Sequence, residues 1–204
     1  MNPSEGQVDE LLVQRMRGGD GVAFAALATR YWNALHRIGR NMLPDPSMAG
    51  DLAEATLLSA FHSAKQLPED VPFRTSLYRQ AMRYSLDLIF PVPRNVTRSL
   101  ATYLPRFDPH GRLVPTGIDW SESGEAAYAG PALAERIRRT LQRLDALDRA
   151  AFVLRVIEEL STEETAAVLA ISPESVRQRA HRATLILTGY LGELFTRTGP
   201  ESLC

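Results

Sequence analysis

Between Ser172 and Arg182 the sequence SPESVRQRAHR sets Arg177, Gln178, Arg179 and Arg182 within two turns of a helix. An arginine fork matches the two acceptors of a guanine edge or the oxygens of a phosphate, and a glutamine amide matches an adenine edge. Ser172, Glu174 and Ser175 add short polar groups at the start of the same helix. The chemistry on offer is reading DNA in the major groove, not bond breaking. No nucleophile elbow, glycine-rich phosphate loop or paired-carboxylate site accompanies these residues, so no catalysis is expected. Basic helix faces are also common as plain solvated surfaces, so the reading depends on the scaffold that presents them.

That scaffold is legible on either side. Ser161, with Glu164 three positions on, is a capping-box signature and starts a helix. The helix runs through Ala166, Ala167 and Leu169, whose small side chains admit a close neighbour. Ile171-Ser172-Pro173 then supplies an apolar turn residue, an N-cap and a proline for the first helical position. In the second helix Val176, Ala180, Ala183 and Leu187 recur at spacings of four, three and four, a seam to bury. Its other faces carry the polar set and His181. Short helix, tight turn and second helix form the helix-turn-helix plan.

The remaining composition bounds the answer. The 204 residues are 45% hydrophobic and 23% charged, enough for one large or two small globular domains. With a formal net charge of −1, nucleic-acid contact has to come from local patches. Lys65 is the one lysine, and the skew to arginine carries no functional weight alone. A lone cysteine, Cys204, excludes a disulfide framework, and His36, His62, His110 and His181 have no partner at metal-ligand spacing. No metal or cofactor is therefore expected. Glu158-Glu159 and Glu163-Glu164 fall at helix ends, where caps and dipoles account for them. No apolar run approaches the ~20 residues of a membrane span. The start MNPSEGQVDE is unlike a secretory signal, so a cytoplasmic location is expected.

The fold class expected is all-α, with two helical domains. From Val8 to Phe90 helical periodicity dominates: Leu11, Leu12 and Met16 before a Gly18-Gly19-Asp20 break, then Phe24, Leu27, Tyr31, Leu35 and Ile38, with Tyr31-Trp32 expected in the core. After the LPDPS turn, Leu52, Thr56 (or Ala55), Leu58 and Ser59 give a third helical face, and Leu77, Ala81, Tyr84 and Leu88 a fourth. From Pro91 to Pro131 prolines and glycines replace periodicity, which reads as a flexible linker. Helices resume with Ile137, Leu141 and Leu144, then Phe152, Val156 and Leu160. Asp145 is placed to cap the latter helix, with Asp148 at its third position. The division expected is 1–90, 91–131 and 132–204.

Three stretches resemble one known family. LDALDRAAFVLRVIEELSTEETAAVLAISPESVRQRAHRATLIL is similar to domain 4 of extracytoplasmic-function RNA polymerase sigma factors, which reads the −35 promoter element. LVQRMRGGDGVAFAALATRYWNALHRIGRNMLPDPSMAGDLAEATLLSAF resembles domain 2 of the same family, and FRTSLYRQAMRYSLDLI resembles its promoter-melting segment. The resemblance implies a factor that takes core polymerase to promoters and initiates transcription. Its partners would be core RNA polymerase, through the β′ clamp helices and the β flap, promoter DNA and an anti-sigma factor. By the same resemblance, Ser172, Glu174, Ser175, Arg177, Gln178, Arg179 and Arg182 would face the −35 element. Arg74, Tyr78, Arg79 and Arg83 would face the −10 region. Asp51, Leu52, Glu54, Ala55 and Leu58 would meet β′. The chain departs from the family at Glu54-Ala55, usually Gln-Glu, and at Ser76, usually tryptophan. LPEDVP is short and acidic, and FPVPRNVTRSL replaces a basic run, so the likeness is fuller for promoter docking than for promoter opening.

Two other functions fit parts of this pattern. A sigma-like module that titrates an anti-sigma factor would suit the altered melting segment. A helix-turn-helix regulator would use the C-terminal half alone and leave Val8 to Ile89 unexplained. The linker expectation has its own check: limited proteolysis of the free protein should cut first between Pro91 and Pro131 and release two helical fragments.

Overall fold

The computed structural model describes the backbone of residues 3–89 and 131–197. The expected linker, all but Pro131, lies outside the described residues. Every regular element among the described residues is helical, as the periodicity implies.

The N-terminal lobe begins with α1 (Pro3–Arg17), which stops at Gly18-Gly19. Gly19 takes φ +87°, a conformation that a side chain would resist. Asp20 then caps α2 (Gly21–Met42): its carboxylate accepts from the amides of Val22 at 2.8 Å and Ala23 at 3.2 Å. Leu27, Tyr31, Leu35 and Ile38 are buried as the spacing implies, and Phe24 stacks on Phe61 with ring centroids 4.7 Å apart. The Tyr31 hydroxyl donates to the buried Asp9, which also pairs with Arg30. Trp32 is not in the core beside it; it is 40% exposed. Neighbours on a helix point about 100° apart, so one narrow face cannot bury both rings.

Asp45 caps a single 3-10 turn, Pro46–Met48, and α3 (Ala49–His62) follows. Its buried face is Leu52, Ala53, Thr56, Leu57 and Ala60, so Ala55 and Leu58 turn outward, away from the face that the sequence suggested for them. In α4 (Phe73–Ile89) the buried face is Phe73, Leu77, Tyr78, Ala81, Met82 and Ser85, while Leu88 is exposed.

The C-terminal half comprises α5 (Pro131–Leu141), α6 (Ala146–Phe152), α7 (Thr162–Leu169) and α8 (Pro173–Arg197). Asp145 caps α6, accepting from Leu147 N at 3.0 Å, but Asp148 does not complete a capping box and bonds elsewhere. The helix expected to run on through Val156 instead widens into a π turn, Val153–Ile157, which leaves Val156 exposed and brings Val153 and Leu154 inward.

Val153 and Leu154 do not form a separate core. With Ala150, Leu160 and Val168 they join the apolar cluster of α2, α3 and α4, so the two lobes share one interior. A smaller cluster of Leu141, Leu144, Ala183 and Leu187 lies between α5 and α8.

Gly39 lets α2 and α3 meet: a Cβ there would lie 2.8 Å from Ala49 Cα. Gly39→Ala should therefore destabilise the fold by about 1–3 kcal/mol despite better helix propensity, read as a lower urea midpoint at unchanged slope.

Candidate nucleic-acid interface

Local chemistry builds the helix-turn-helix as the sequence implies. Ser161 N donates to Glu164 Oε2 at 2.7 Å and Glu164 N to Ser161 Oγ at 3.0 Å, closing the capping box of α7. Ala170 then takes φ 54°, ψ 43°, and its left-handed turn lets α8 start at Pro173. Ser172 Oγ accepts from Ser175 N at 3.2 Å and donates to Ser175 Oγ at 2.9 Å. Val176, Ala183 and Leu187 of the expected seam are buried, and Ala180 is half-buried.

The outer face of α8 presents Ser172, Glu174, Arg177 and Gln178, all exposed. His181, one turn beyond Arg177, shares that exposure; its place at i+4 from Arg177 is the signal that would have added it to the expected set. Glu174 organises this face: Arg177 Nη2 reaches it at 2.6 Å and Gln178 Nε2 at 3.0 Å, and these bonds hold its carboxyl below the usual carboxylate range. Arg179 and Arg182 are only half exposed and lean instead on Asp148 of α6. Of the seven residues expected on the −35 face, four are exposed, Ser175 is half-buried and bonded to Ser172, and Arg179 and Arg182 form an inner, acid-bound pair.

The expected −10 set is placed differently. Tyr78 is buried, with the Arg74 guanidinium 5.3 Å from its ring centroid. Burial raises the Tyr78 phenol above its ordinary value. Arg74 Nη2 donates to Glu158 O at 3.1 Å, and Arg79 Nη2 and Nε donate to Ala167 O at 2.9 and 3.2 Å. Arg74 and Arg79 therefore bond to the C-terminal lobe, Arg79 while remaining exposed; Tyr78 packs edge-on to Tyr31, and Arg83 is exposed. In the expected β′ set, Asp51, Glu54, Ala55 and Leu58 line the outer side of α3, with Leu58 41% exposed. Leu52 is 4% exposed and packs in the core.

Polar ties bind the lobes around the shared interior. Arg37 Nε and Nη2 clasp Glu158 Oε1 and Oε2 at 2.8 and 2.7 Å, and only 1% of the Glu158 side chain is exposed. Gln142 Nε2 reaches the carbonyls of Asn41 at 3.2 Å and Leu43 at 3.0 Å, and Arg149 Nη1 reaches Met42 O at 2.6 Å. The C-terminal carbonyls of α2 are thus taken by the other lobe. Sequence reading missed this interface because Glu158 and Arg149 look there like ordinary helix-end charges. Among the described residues, no group of acids, histidines or cysteines is placed to hold a metal, and no helix is long and apolar enough to cross a membrane.

Residues 134–185 match the family described as Sigma-70, region 4. Over 94% of its length the chain is 29% identical to the RNA polymerase sigma factor CnrH of Cupriavidus metallidurans, covering 97% of that protein. It is 27% identical to the ECF RNA polymerase sigma-E factor of Escherichia coli, over 88% of this chain and 92% of the relative. Among solved structures, CnrH in complex with the cytosolic domain of CnrY superposes with a TM-score of 0.65 at 26% identity, covering 90% of this chain and 97% of that one. The sigma factor RpoE of Bartonella quintana, in complex with the anti-sigma factor NepR, shares the fold at a TM-score of 0.57 and 17% identity, over 82% and 96% of the two chains.

The seam makes a direct prediction. Arg37→Ala strands a buried carboxylate, a loss of about 2 kcal/mol after allowing for the half-exposed arginine. The lobes should part while each keeps its helices, seen as a larger radius of gyration in small-angle X-ray scattering at unchanged far-UV circular dichroism.

Proposed function

We propose that this chain, which belongs to the extracytoplasmic-function group of RNA polymerase sigma factors, binds core RNA polymerase and directs it to a subset of promoters. The observation that carries this is the pairing, in one chain, of an open polar face on a helix-turn-helix with an open outer face on α3, in an order that nearly the whole length of CnrH shares. A DNA regulator working through α7 and α8 alone would have no use for α1 to α4.

In this reading residues 1–90 serve polymerase docking and the −10 region, and residues 132–204 serve the −35 element. Asp51, Glu54, Ala55 and Leu58 meet the β′ clamp helices, and the C-terminal lobe meets the β flap. Leu52 supports that surface from beneath. Arg177 and Gln178 read bases near the N-terminus of α8, whose amides face a phosphate. Arg79 and Arg83 are exposed to DNA on α4, whereas Arg74 and Tyr78 reach it only after the lobes part, Arg74 being held on Glu158 O. An anti-sigma factor is the natural controller of such a step, as the complexes of CnrH with CnrY and RpoE with NepR suggest. The chain acts where polymerase is, in the cytoplasm, and has no catalytic role of its own.

The covered Arg74 and Tyr78 and the serine at position 76 favour one rival, a module that titrates an anti-sigma factor without initiating transcription. Reconstituted run-off transcription decides between them: the sigma reading expects promoter-dependent transcripts with core polymerase and this chain. Leu58→Glu should weaken core binding about tenfold or more at an unchanged melting temperature, whereas Leu52→Glu should unfold the N-terminal lobe. Tight anti-sigma binding with no transcript from any promoter would establish the rival.

A further inference from the structure

The Asp148 carboxylate sits between α6 and α8 with 3% of its side chain exposed. The hydrogen bonds it accepts from α8 come from Arg179 Nη1 at 3.0 Å, Arg182 Nε at 2.6 Å and Arg182 Nη2 at 2.5 Å. Asp145 adds a looser contact, 3.9 Å from Arg179 Nη1. Two guanidiniums thus share one buried carboxylate, with Asp145 at the edge of the group. Arg182 is held along its Nε–Nη2 side, which turns Nη1 and the second Nη2 hydrogen away from Asp148, and its side chain is 41% exposed. The exposed pairing of Arg177 with Glu174 is different in kind, because both partners stand in water and exchange freely.

We propose that Asp148 is a positioning residue for DNA recognition, fixing Arg182, with Arg179 beside it, on the shoulder of α8 so that the outer edge of Arg182 meets the duplex in a set orientation. This rests on the sigma reading above. An arginine is among the costliest side chains to order, and the carboxylate orders this one before DNA arrives. The inner edge of the fork is spent on Asp148, and the outer edge keeps donors in one plane, suited to phosphate oxygens or a guanine edge. Asp148 also lowers the local positive charge, so its contribution is to selectivity rather than to general attraction for DNA.

The test uses the full chain with core polymerase and two duplexes: one selected by the wild-type holoenzyme from a pool randomised across the −35 element, and a scrambled duplex of the same length. Asp148→Ala should lower affinity for the selected duplex about tenfold, the scale of one well-made arginine contact, while affinity for the scrambled duplex is unchanged or rises. Asp148→Asn, which keeps the shape and an acceptor, should recover part of the loss and shows that folding is not at issue. In an Arg182→Ala background Asp148→Ala should have little further effect, because it acts through Arg182. The salt slope separates the two acceptors: Arg182→Ala lowers it by about one if the contact is phosphate, and relaxes one base position if it is guanine. Equal losses on both duplexes, or an undiminished Asp148→Ala effect without Arg182, overturns the positioning role. A wild-type holoenzyme that enriches no sequence overturns the sigma reading and this proposal with it.

Discussion

A carboxylate with almost no exposed surface holds the two halves of this chain together. Once buried, Glu158 needs a partner, and the partner is Arg37 on the other lobe. Much of the C-terminal lobe is arranged around that requirement. Glu158 N donates back to Val153 O at 2.9 Å, closing the π turn that carries the carboxylate inward. Glu159 then takes a left-handed φ of 54°, and Leu160 drops into the shared core with its carbonyl bound by Arg155. The capping box of α7 starts at the next residue, so the helix-turn-helix is aimed by the same turn that buries the acid.

Arginine serves three physical ends in the structure. Arg149 is buried with no carboxylate in its hydrogen-bond shell; it is bound by the carbonyls of Met42, Gln142 and Leu144 and the Gln142 side chain. Burial pulls it down to about 10, still far enough above neutral pH to keep it charged. The carbonyl ends of α2 and α5 supply the compensating negative potential. Arg37 and the Arg179–Arg182 pair instead meet buried carboxylates across an interface, one joining the lobes and the other joining α6 to α8. Arg177 and Arg83 stand in water, available to something outside the chain. Arginine abundance alone could not separate these roles, since each is defined by what the guanidinium faces.

The result is an uneven presentation of surfaces. The outer faces of α3 and α8 are open, and on α4 Arg79 and Arg83 are exposed while Arg74 and Tyr78 are covered. In a sigma factor this arrangement would leave polymerase docking and −35 reading accessible in the free chain and hold back the part of the −10 contact made by Arg74 and Tyr78 until the lobes separate. The polar ties at the seam suit such a two-state device, because carbonyls and guanidiniums released from each other find water or phosphate instead, while the shared apolar cluster sets the cost of opening.

How much of this was legible beforehand follows from the range of the forces involved. The all-α class, the caps at Asp20, Asp145, Ser161 and Ser172, and the seam of Val176, Ala183 and Leu187 are decided by residues within one or two turns, and spacing in the chain records them. Stripes on α3 and α4 were read less well. Both helices have apolar residues on more than one side, and only the neighbours decide which side is buried: Leu52 inward and Leu58 outward, Tyr78 inward and Leu88 outward. The roles of Asp148 and Glu158 left no local trace at all. An acid near a helix end looks complete as a cap or a dipole partner, and nothing in its own segment says that arginines 31 and 121 positions away will claim it. Sequence alone therefore determined which groups have the chemistry to bond a base edge or a phosphate. Tertiary structure decided which of them are free to do so, because burial and pairing are set by chain segments that meet only in the fold.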